Sequence, residues 1–426
     1  MNSSRHACVI GAGIVGAACA YALAREGWRV TLVDAGTQPG EGVSKANGAQ
    51  LSYSYVEPLA TPTALRALPS WLLSSWRGDA DSPLRWRPRA DLGHGRWLMA
   101  FTQACRWPQV QRTTAALLGL SFLSRDTLHG WLDTLPAATR AALHHSRAGK
   151  LVIYRKPEAR AQVAQQLRWQ ADLGCVQQLV GADECRALEP ALAATGGGPI
   201  SFGVWTESEE VIDAAGLARA LAQASGATQR MGQAVTGFER RAGQIAAVRL
   251  ADGQRIEADH FVVAAGPQAQ ALLRPLGLRL PIEPIKGYSV TLPIVDDAAA
   301  PHASITDTGR KLVHARLGRH LRVAGFAELC GADLSIDERR IDSLCRAVEA
   351  TFPGACDLSQ RNPWAGLRPA TPSGRPLIGA TPLGNLWLNV GHGALGLTLA
   401  AGSAQLLARA MRREALAPQA QPFCYV

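Results

Sequence analysis

Three glycines, Gly11, Gly13 and Gly16, follow the apolar run Ala7-Cys8-Val9-Ile10 at the G-x-G-x-x-G spacing, and an acid, Asp34, stands 18 residues beyond the last of them. These residue types in this order suit a ligand with a pyrophosphate and a ribose. Gly11 allows a tight turn, Gly13 leaves bare backbone for a pyrophosphate to approach, and Gly16 lets a helix pack closely on a sheet. Ala12, Ile14 and Val15 complete the turn and open the helix, whose free N–H groups and positive dipole end favour an anion. Asp34 is placed to accept hydrogen bonds from ribose hydroxyls.

Such a site needs a strand–turn–helix–strand unit beneath it. The alanine-rich segment running to Arg25 supplies the helix and Gly27 its stop. Trp28-Arg29-Val30-Thr31-Leu32-Val33 supplies the second strand. Residues 7–24, all apolar or small, also resemble a signal sequence or membrane anchor. The regular glycines, the strand ending on an acid, and a basic region of only Arg5 and His6 argue against that reading.

Two later stretches offer backbone to the same ligand. Residues 258–266 read as a buried strand ending on Ala265-Gly266, where backbone can approach closely. Residues 385–396 end in Gly391-His392-Gly393-Ala394-Leu395-Gly396, followed by a final helix, a second dipole end for a cofactor. Between them and the first unit, Ser44-Lys45-Ala46-Asn47-Gly48-Ala49-Gln50-Leu51 is small and amide-bearing, as suits a loop wrapped around a cofactor.

The remaining elements follow from periodicity. Residues 61–143 are helical and broken by prolines. Strands are expected at 150–154 and 200–205, helices at 158–173 and 211–224, short antiparallel strands over 235–258, and strands at 282–292, 312–315 and 321–325. A helix is expected over 336–352.

At 426 residues the chain is long enough for two cored domains. The formal charge of +10 is mostly arginine, lysine occurring only at Lys45, Lys150, Lys156, Lys286 and Lys311. No basic block is present, so nucleic acid is not expected as a partner. The nine cysteines form no C-x-x-C, which fits a reducing compartment and no metal site. A soluble, cytoplasmic protein is expected. Trp71, Trp76, Trp86, Trp97 and Trp107 interleave with Arg77, Arg85, Arg87, Arg89, Arg96 and Arg106. That stretch suits a packed helical cap, and also peripheral contact with the inner face of an anionic cytoplasmic membrane.

The chain resembles, nearly end to end, the bacterial FAD-dependent D-amino acid dehydrogenases within the glycine oxidase and D-amino acid oxidase group. The stretches that carry the resemblance are Ala46-Asn47-Gly48-Ala49-Gln50, Pro284-Ile285-Lys286-Gly287-Tyr288-Ser289, Gly366-Leu367-Arg368-Pro369 and Asn385-Leu386-Trp387-Leu388-Asn389-Val390-Gly391-His392-Gly393. The resemblance implies an α/β fold: a Rossmann-like FAD-binding domain and a second substrate domain built on a mixed, largely antiparallel sheet plus helices. The first would take residues 1–60, 208–275 and 360–426, and the second 61–207 and 276–359.

It also implies roles. Val9 to Gly16 and Asp34 would hold the ADP half of FAD. Ser44, Ala46, Asn47, Gln50 and Leu51 would lie along the flavin, Val235 would touch adenine, and Ala265 and Gly266 would pass near the pyrophosphate. Gly391, His392, Gly393, Leu395 and Gly396 would face the isoalloxazine. Arg368 would pair with the substrate carboxylate, and Tyr288 would line the pocket unless it is a half-buried sheet residue. His392 could be proposed as a base, although hydrogen bonding to backbone or flavin suits it better.

Three features depart from the family pattern. Gly48 and Ala49 stand in reverse order, Arg310 precedes Lys311 where an aromatic is expected, and Tyr53 and Tyr55 replace smaller residues. They bear on the side chain accepted more than on the reaction. The reaction implied is oxidative deamination of a D-amino acid to a 2-oxo acid and ammonia, with a quinone or other respiratory-chain acceptor. A glycine or sarcosine oxidase, or a D-proline or D-hydroxyproline dehydrogenase, would share every motif. A basic nucleic-acid-binding protein with a vestigial dinucleotide fold is the reading from another class.

Overall fold

The computed structural model describes residues 5–196, 198–412, 414 and 418–425. Among these, two large sheets organise the chain. The smaller has six strands, in the order Leu377–Ala380, Leu386–Val390, His260–Val263, His6–Ile10, Arg29–Val33, Thr228–Arg230. Its neighbours run parallel except the first pair. Parallel strands are covered on both faces, which explains why His6–Ile10 and Leu386–Val390 are buried throughout. Ala7 and Val9 turn towards helices Ile14–Arg25, Ala214–Ala224 and Gly396–Met411. Cys8 and Ile10 turn the other way, onto the antiparallel layer Val235–Arg241, Gln244–Leu250 and Arg255–Glu257. Residues 7–24 are thus a core strand and helix, not an anchor.

The larger sheet follows the order Asn362–Ala370, Glu283–Pro293, His320–Leu329, Leu312–Leu317, Ser304–Asp307, Lys150–Tyr154, Phe202–Thr206, Gln178–Gly181, with Leu84–Trp86 beside His320–Leu329. Only the pairs Ser304–Asp307 with Lys150–Tyr154, and His320–Leu329 with Leu84–Trp86, are parallel. The mixed, largely antiparallel character expected for the second sheet is what the chain adopts. Strand Asn362–Ala370 pairs with Glu283–Pro293 along its whole length. Segment 360–426 therefore serves both sheets, a correction to its grouping wholly with the first.

The two faces of the larger sheet differ. Tyr288, Val290 and Leu292 point into an apolar layer with helix Glu338–Thr351. By strand alternation Gly287, Ser289 and Thr291 point the other way, and the Ser289 hydroxyl donates to Ala46 O at 2.6 Å. That second face looks onto the smaller sheet. Among the described residues all nine cysteines are free, and no helix is long and apolar enough to cross a membrane.

Candidate active site

The glycine turn is built by contacts that leave no room for side chains. At Gly11, φ is +104°, and a Cβ would stand 2.5 Å from Ala264 O. A Cβ on Gly16 would stand 1.7 Å from Gly11 O. Gly13 is different: a Cβ there would meet only Ser44 Oγ, at 3.4 Å. The protein itself requires the first and third glycines, whereas the second faces open space at the helix end. Ser44 Oγ accepts from Ile14 N–H at 2.9 Å. Asp34 accepts from the N–H groups of Ala12 and Gly36, each at 2.6 Å. Its carboxylate thus ties the turn to the second strand, with lone pairs left for a further donor.

The other stretches converge on the same edge, the carboxyl ends of the parallel strands, where ligands bind open α/β sheets. Gly266, beyond Ala265, has φ +53°, and a Cβ there would find nothing within 4 Å. Val235 packs into the layer that holds Ile10 and Val33, and Gln233 N–H donates to Asp34 O at 2.8 Å. Gly391 (φ +82°) is pressed against Thr371, 2.7 Å from a would-be Cβ, while Gly393 (φ +55°) is open within 4 Å. Leu395 and Gly396 lead into the final helix.

Segment 44–52 runs between the sheets. Ala46 O is held by Ser289, and Asn47 Oδ1 accepts from Ala49 N–H at 3.0 Å. A Cβ on Gly48 would approach Val313 to 3.1 Å. Gln50 is bracketed by Lys150, whose Nζ donates to Oε1 at 3.1 Å, and by Ser304, which accepts from Nε2. Leu51 pairs with Glu210, and Ser52 N–H donates to Thr398 Oγ1 of the final helix at 3.0 Å.

Arg368 lies on the face that looks towards this segment. Its guanidinium crosses Gly287, where a Cβ would stand 2.4 Å from Nη2. Nη1 donates to Phe326 O at 2.7 Å and Nη2 to Gly325 O at 3.4 Å. Phe326 holds φ +60° at an irregularity in its ladder, so a strained residue supplies the carbonyl that seats the arginine. Burial pulls the Arg368 pKa down to about 10, and among the described residues no carboxylate offsets its charge. A half-buried guanidinium without an anion is arranged to receive one. The Ala370–His392 bridge sets this strand beside the Gly391 stretch.

Two of the expected site residues are corrected. Tyr288 is 1% exposed on the opposite face, and its hydroxyl donates to Glu328 at 3.1 Å. It is a sheet residue and does not line the cleft. Glu328, fully buried, also meets Lys286 and Arg85 at 3.3 Å and Arg340 at 3.2 Å. The Lys286-Gly287-Tyr288 motif therefore divides, Gly287 making room for Arg368 and its neighbours bracing the sheet from behind. His392 is buried, with Nε2 3.2 Å from Ser403 Oγ, and burial pulls its imidazole down to about 3. The hydrogen bond to Ser403 on the final helix suits a ring that braces the glycine stretch.

Of the larger side chains among these departures, Arg310 is committed to Asp307 at 3.1 Å and Tyr53 to Glu210 at 3.3 Å. Only Tyr55 is exposed, with the Lys150 ammonium 4.3 Å from its ring centroid. Sequence reading missed Lys150, Glu209 and Glu328. A lysine opening an apolar strand in a chain with so few lysines was the available signal for the first.

A nucleotide-type glycine turn thus stands at the edge of one sheet, and Arg368, with no carboxylate partner among the described residues, stands on the other. The family model described as "FAD dependent oxidoreductase" (DAO) matches residues 6–410, and the chain belongs to that family. "D-amino acid dehydrogenase 2" of Ralstonia nicotianae is 45% identical over 97% of this chain and 98% of its own length. "D-amino acid dehydrogenase 2" of Pseudomonas aeruginosa is 44% identical over 96% and 95%. Among solved structures, glycine oxidase from Geobacillus kaustophilus superposes with a TM-score of 0.74 at 18% identity, over 99% of both chains. That likeness establishes the shared fold. FAD is the cofactor of the family.

Proposed function

We propose that the protein oxidatively deaminates D-amino acids to 2-oxo acids and ammonia, passing electrons to a quinone or other non-oxygen acceptor. The observation that carries the reading is Arg368: a cation held by carbonyls, without a carboxylate partner among the described residues, on the face opposite the glycine turn. The residues present fit FAD. Gly13, Gly266 and Gly393 leave open space at the strand ends, the positive dipole end of helix Ile14–Arg25, whose N-cap Gly13 brings no side chain, suits a pyrophosphate, and Asp34 retains acceptor capacity for ribose. Ser44 to Leu51 lie along the cofactor in this reading, Val235 beside adenine, and Gly391 to Gly396 at the ring end.

When bound, FAD supplies the acceptor for the hydride leaving the substrate α-carbon. Arg368 grips the carboxylate as a fork and fixes the plane of the α-carbon. His392, neutral and hydrogen-bonded to Ser403, keeps the glycine stretch in place and moves no proton. The lone pair of a neutral amine is enough to expel the hydride, and the imino acid then hydrolyses in water. Anaerobic mixing with D- and L-amino acids, glycine and sarcosine is expected to bleach the flavin with D-amino acids foremost. Faster bleaching by glycine or sarcosine would move the protein to the related amine oxidases, and stoichiometric peroxide in air would refute the acceptor.

Peripheral contact with an anionic membrane belongs to the same reading. Helix Pro62–Trp76 has no buried side chain. Leu65 packs beside Phe101 and Ala104, so helix Leu92–Ala104 lies next to it. Trp76 is 70% and Leu92 83% exposed, with Leu73, Met99 and Trp107 also out. Arg66, Arg77, Arg96 and Arg106 stand exposed among them. Apolar side chains set among arginines match an anionic interface. The protein is expected to sediment with anionic vesicles and to be released by salt. Indifference to vesicle charge would refute this contact.

A further inference from the structure

A second set of buried charges lies at the base of segment 44–52, apart from Arg368. Lys150 opens strand Lys150–Tyr154 and is 1% exposed. Its Nζ donates to Gln50 Oε1 at 3.1 Å and to Ser52 Oγ at 2.8 Å, and lies over the ring of Tyr55. The ammonium's three N–H bonds thus have two oxygens and an aromatic face to meet. Glu209 is equally buried, and its Oε1 accepts from Ser54 N–H at 2.6 Å. Burial pulls the Lys150 ammonium down and pushes the Glu209 carboxyl up, and each charge opposes the shift of the other. Lys150 pairs with Thr206, three residues before Glu209, which brings the two charges within electrostatic reach of each other.

The consequence is that residues 50, 52 and 54 of one continuous stretch are gripped by one lysine and one glutamate. Gln50 matters most. An amide's oxygen and nitrogen are nearly the same shape, so packing alone leaves its direction open. An ammonium at Oε1 removes that freedom and leaves Nε2 as the donor, directed at Ser304 Oγ. Buried charges are no more stabilising than apolar groups of similar volume, and their best-attested use is to specify one arrangement. At this place in the fold, the arrangement specified is that of the segment facing the smaller sheet.

We propose that Lys150, with Glu209 as its counter-charge, is the positioning residue for the cofactor-lining segment, fixing the Gln50 amide and the 50–54 backbone against the FAD ring. This rests on the reading that segment 44–51 lies along FAD. The test compares Lys150→Met, Lys150→Arg and Gln50→Ala as FAD-loaded proteins. The readouts are the visible absorption and circular dichroism of the flavin, its reduction potential, and steady-state kinetics with D-alanine. Lys150→Met is expected to keep FAD, to shift the flavin spectrum and potential as Gln50→Ala does, and to lower kcat about 10²-fold, the size of a small misplacement. KM should change little, since Arg368 still holds the carboxylate, and Lys150→Arg should recover part of the loss. A Lys150→Met protein with wild-type spectrum and potential, beside a shifted Gln50→Ala, would overturn the proposal and leave the cofactor reading standing. If neither variant moves the spectrum, the segment does not line the flavin and both fall. Should Lys150→Met not fold, the double variant Lys150→Met/Glu209→Gln, which leaves no unpaired charge, carries the same comparison.

Discussion

Replacing Arg368 with alanine is expected to leave a folded, FAD-loaded protein that has lost about 10²–10⁴ of its kcat/KM for D-amino acids. The size follows from taking one partner out of a buried ion pair, roughly 3–5 kcal/mol, at about tenfold per 1.36 kcal/mol. The free arginine already uses Nη1 and Nη2 on the carbonyls of Phe326 and Gly325, and the rest of its fork is left for a carboxylate. The carbonyls fix the plane of the guanidinium before substrate arrives, so little orientation is lost on binding. Arg368→Lys should recover only part, because an ammonium offers a point charge in place of a planar fork. Activity is measured with FAD content and denaturation midpoint as controls. Near wild-type kcat/KM in an Arg368→Ala protein would end the assignment.

The reverse side of the same sheet gives the opposite expectation. Glu328→Gln should lower stability by about 3–5 kcal/mol, a large part of the roughly 5–15 kcal/mol that holds a domain together. Glu328 is the carboxylate that Arg340, Lys286 and Arg85 share with the Tyr288 hydroxyl. Lys286 and Arg85 keep Asp333 and Asp337. Among the described residues Arg340 retains only the backbone oxygens of Ala80 and Ser82 as hydrogen-bond partners and is left as an uncompensated buried cation. Urea unfolding should show the midpoint falling, while kcat/KM measured in the cold stays near wild type. A large loss of kcat/KM at unchanged stability would mean that Glu328 serves the reaction and that the division between the two faces is wrong.

The Tyr288 correction shows what periodicity leaves open. Alternation along Glu283–Pro293 groups Tyr288 with Lys286 and separates it from Gly287 and Ser289, and that much is visible in the chain. Which group faces segment 44–52 is settled by the bond from Ser289 to Ala46 and by the packing of Glu338–Thr351 on the other side. The same holds for segment 360–426. Its composition resembles the glycine-rich first region, yet strand Asn362–Ala370 is paired into the larger sheet.

By itself the sequence determined the glycine turn, because its constraints are local. A side chain on Gly16 would run into the Gly11 carbonyl five residues before it, so that spacing carries the geometry, whereas Gly11 itself is closed off by the distant Ala264. The acid after the second strand, the glycine-punctuated entry to the last helix and the arginine at position 368 were legible for the same reason, or through motifs a few residues long. Tertiary structure alone decided which polar groups are spent and which remain free. Lys150 meets Gln50 and Ser52, Arg340 meets Glu328, and Gly287 clears a path for Arg368 only through strand register between distant segments. Short-range sterics are written into neighbouring residues; the pairing of buried charges exists only once the sheets have formed.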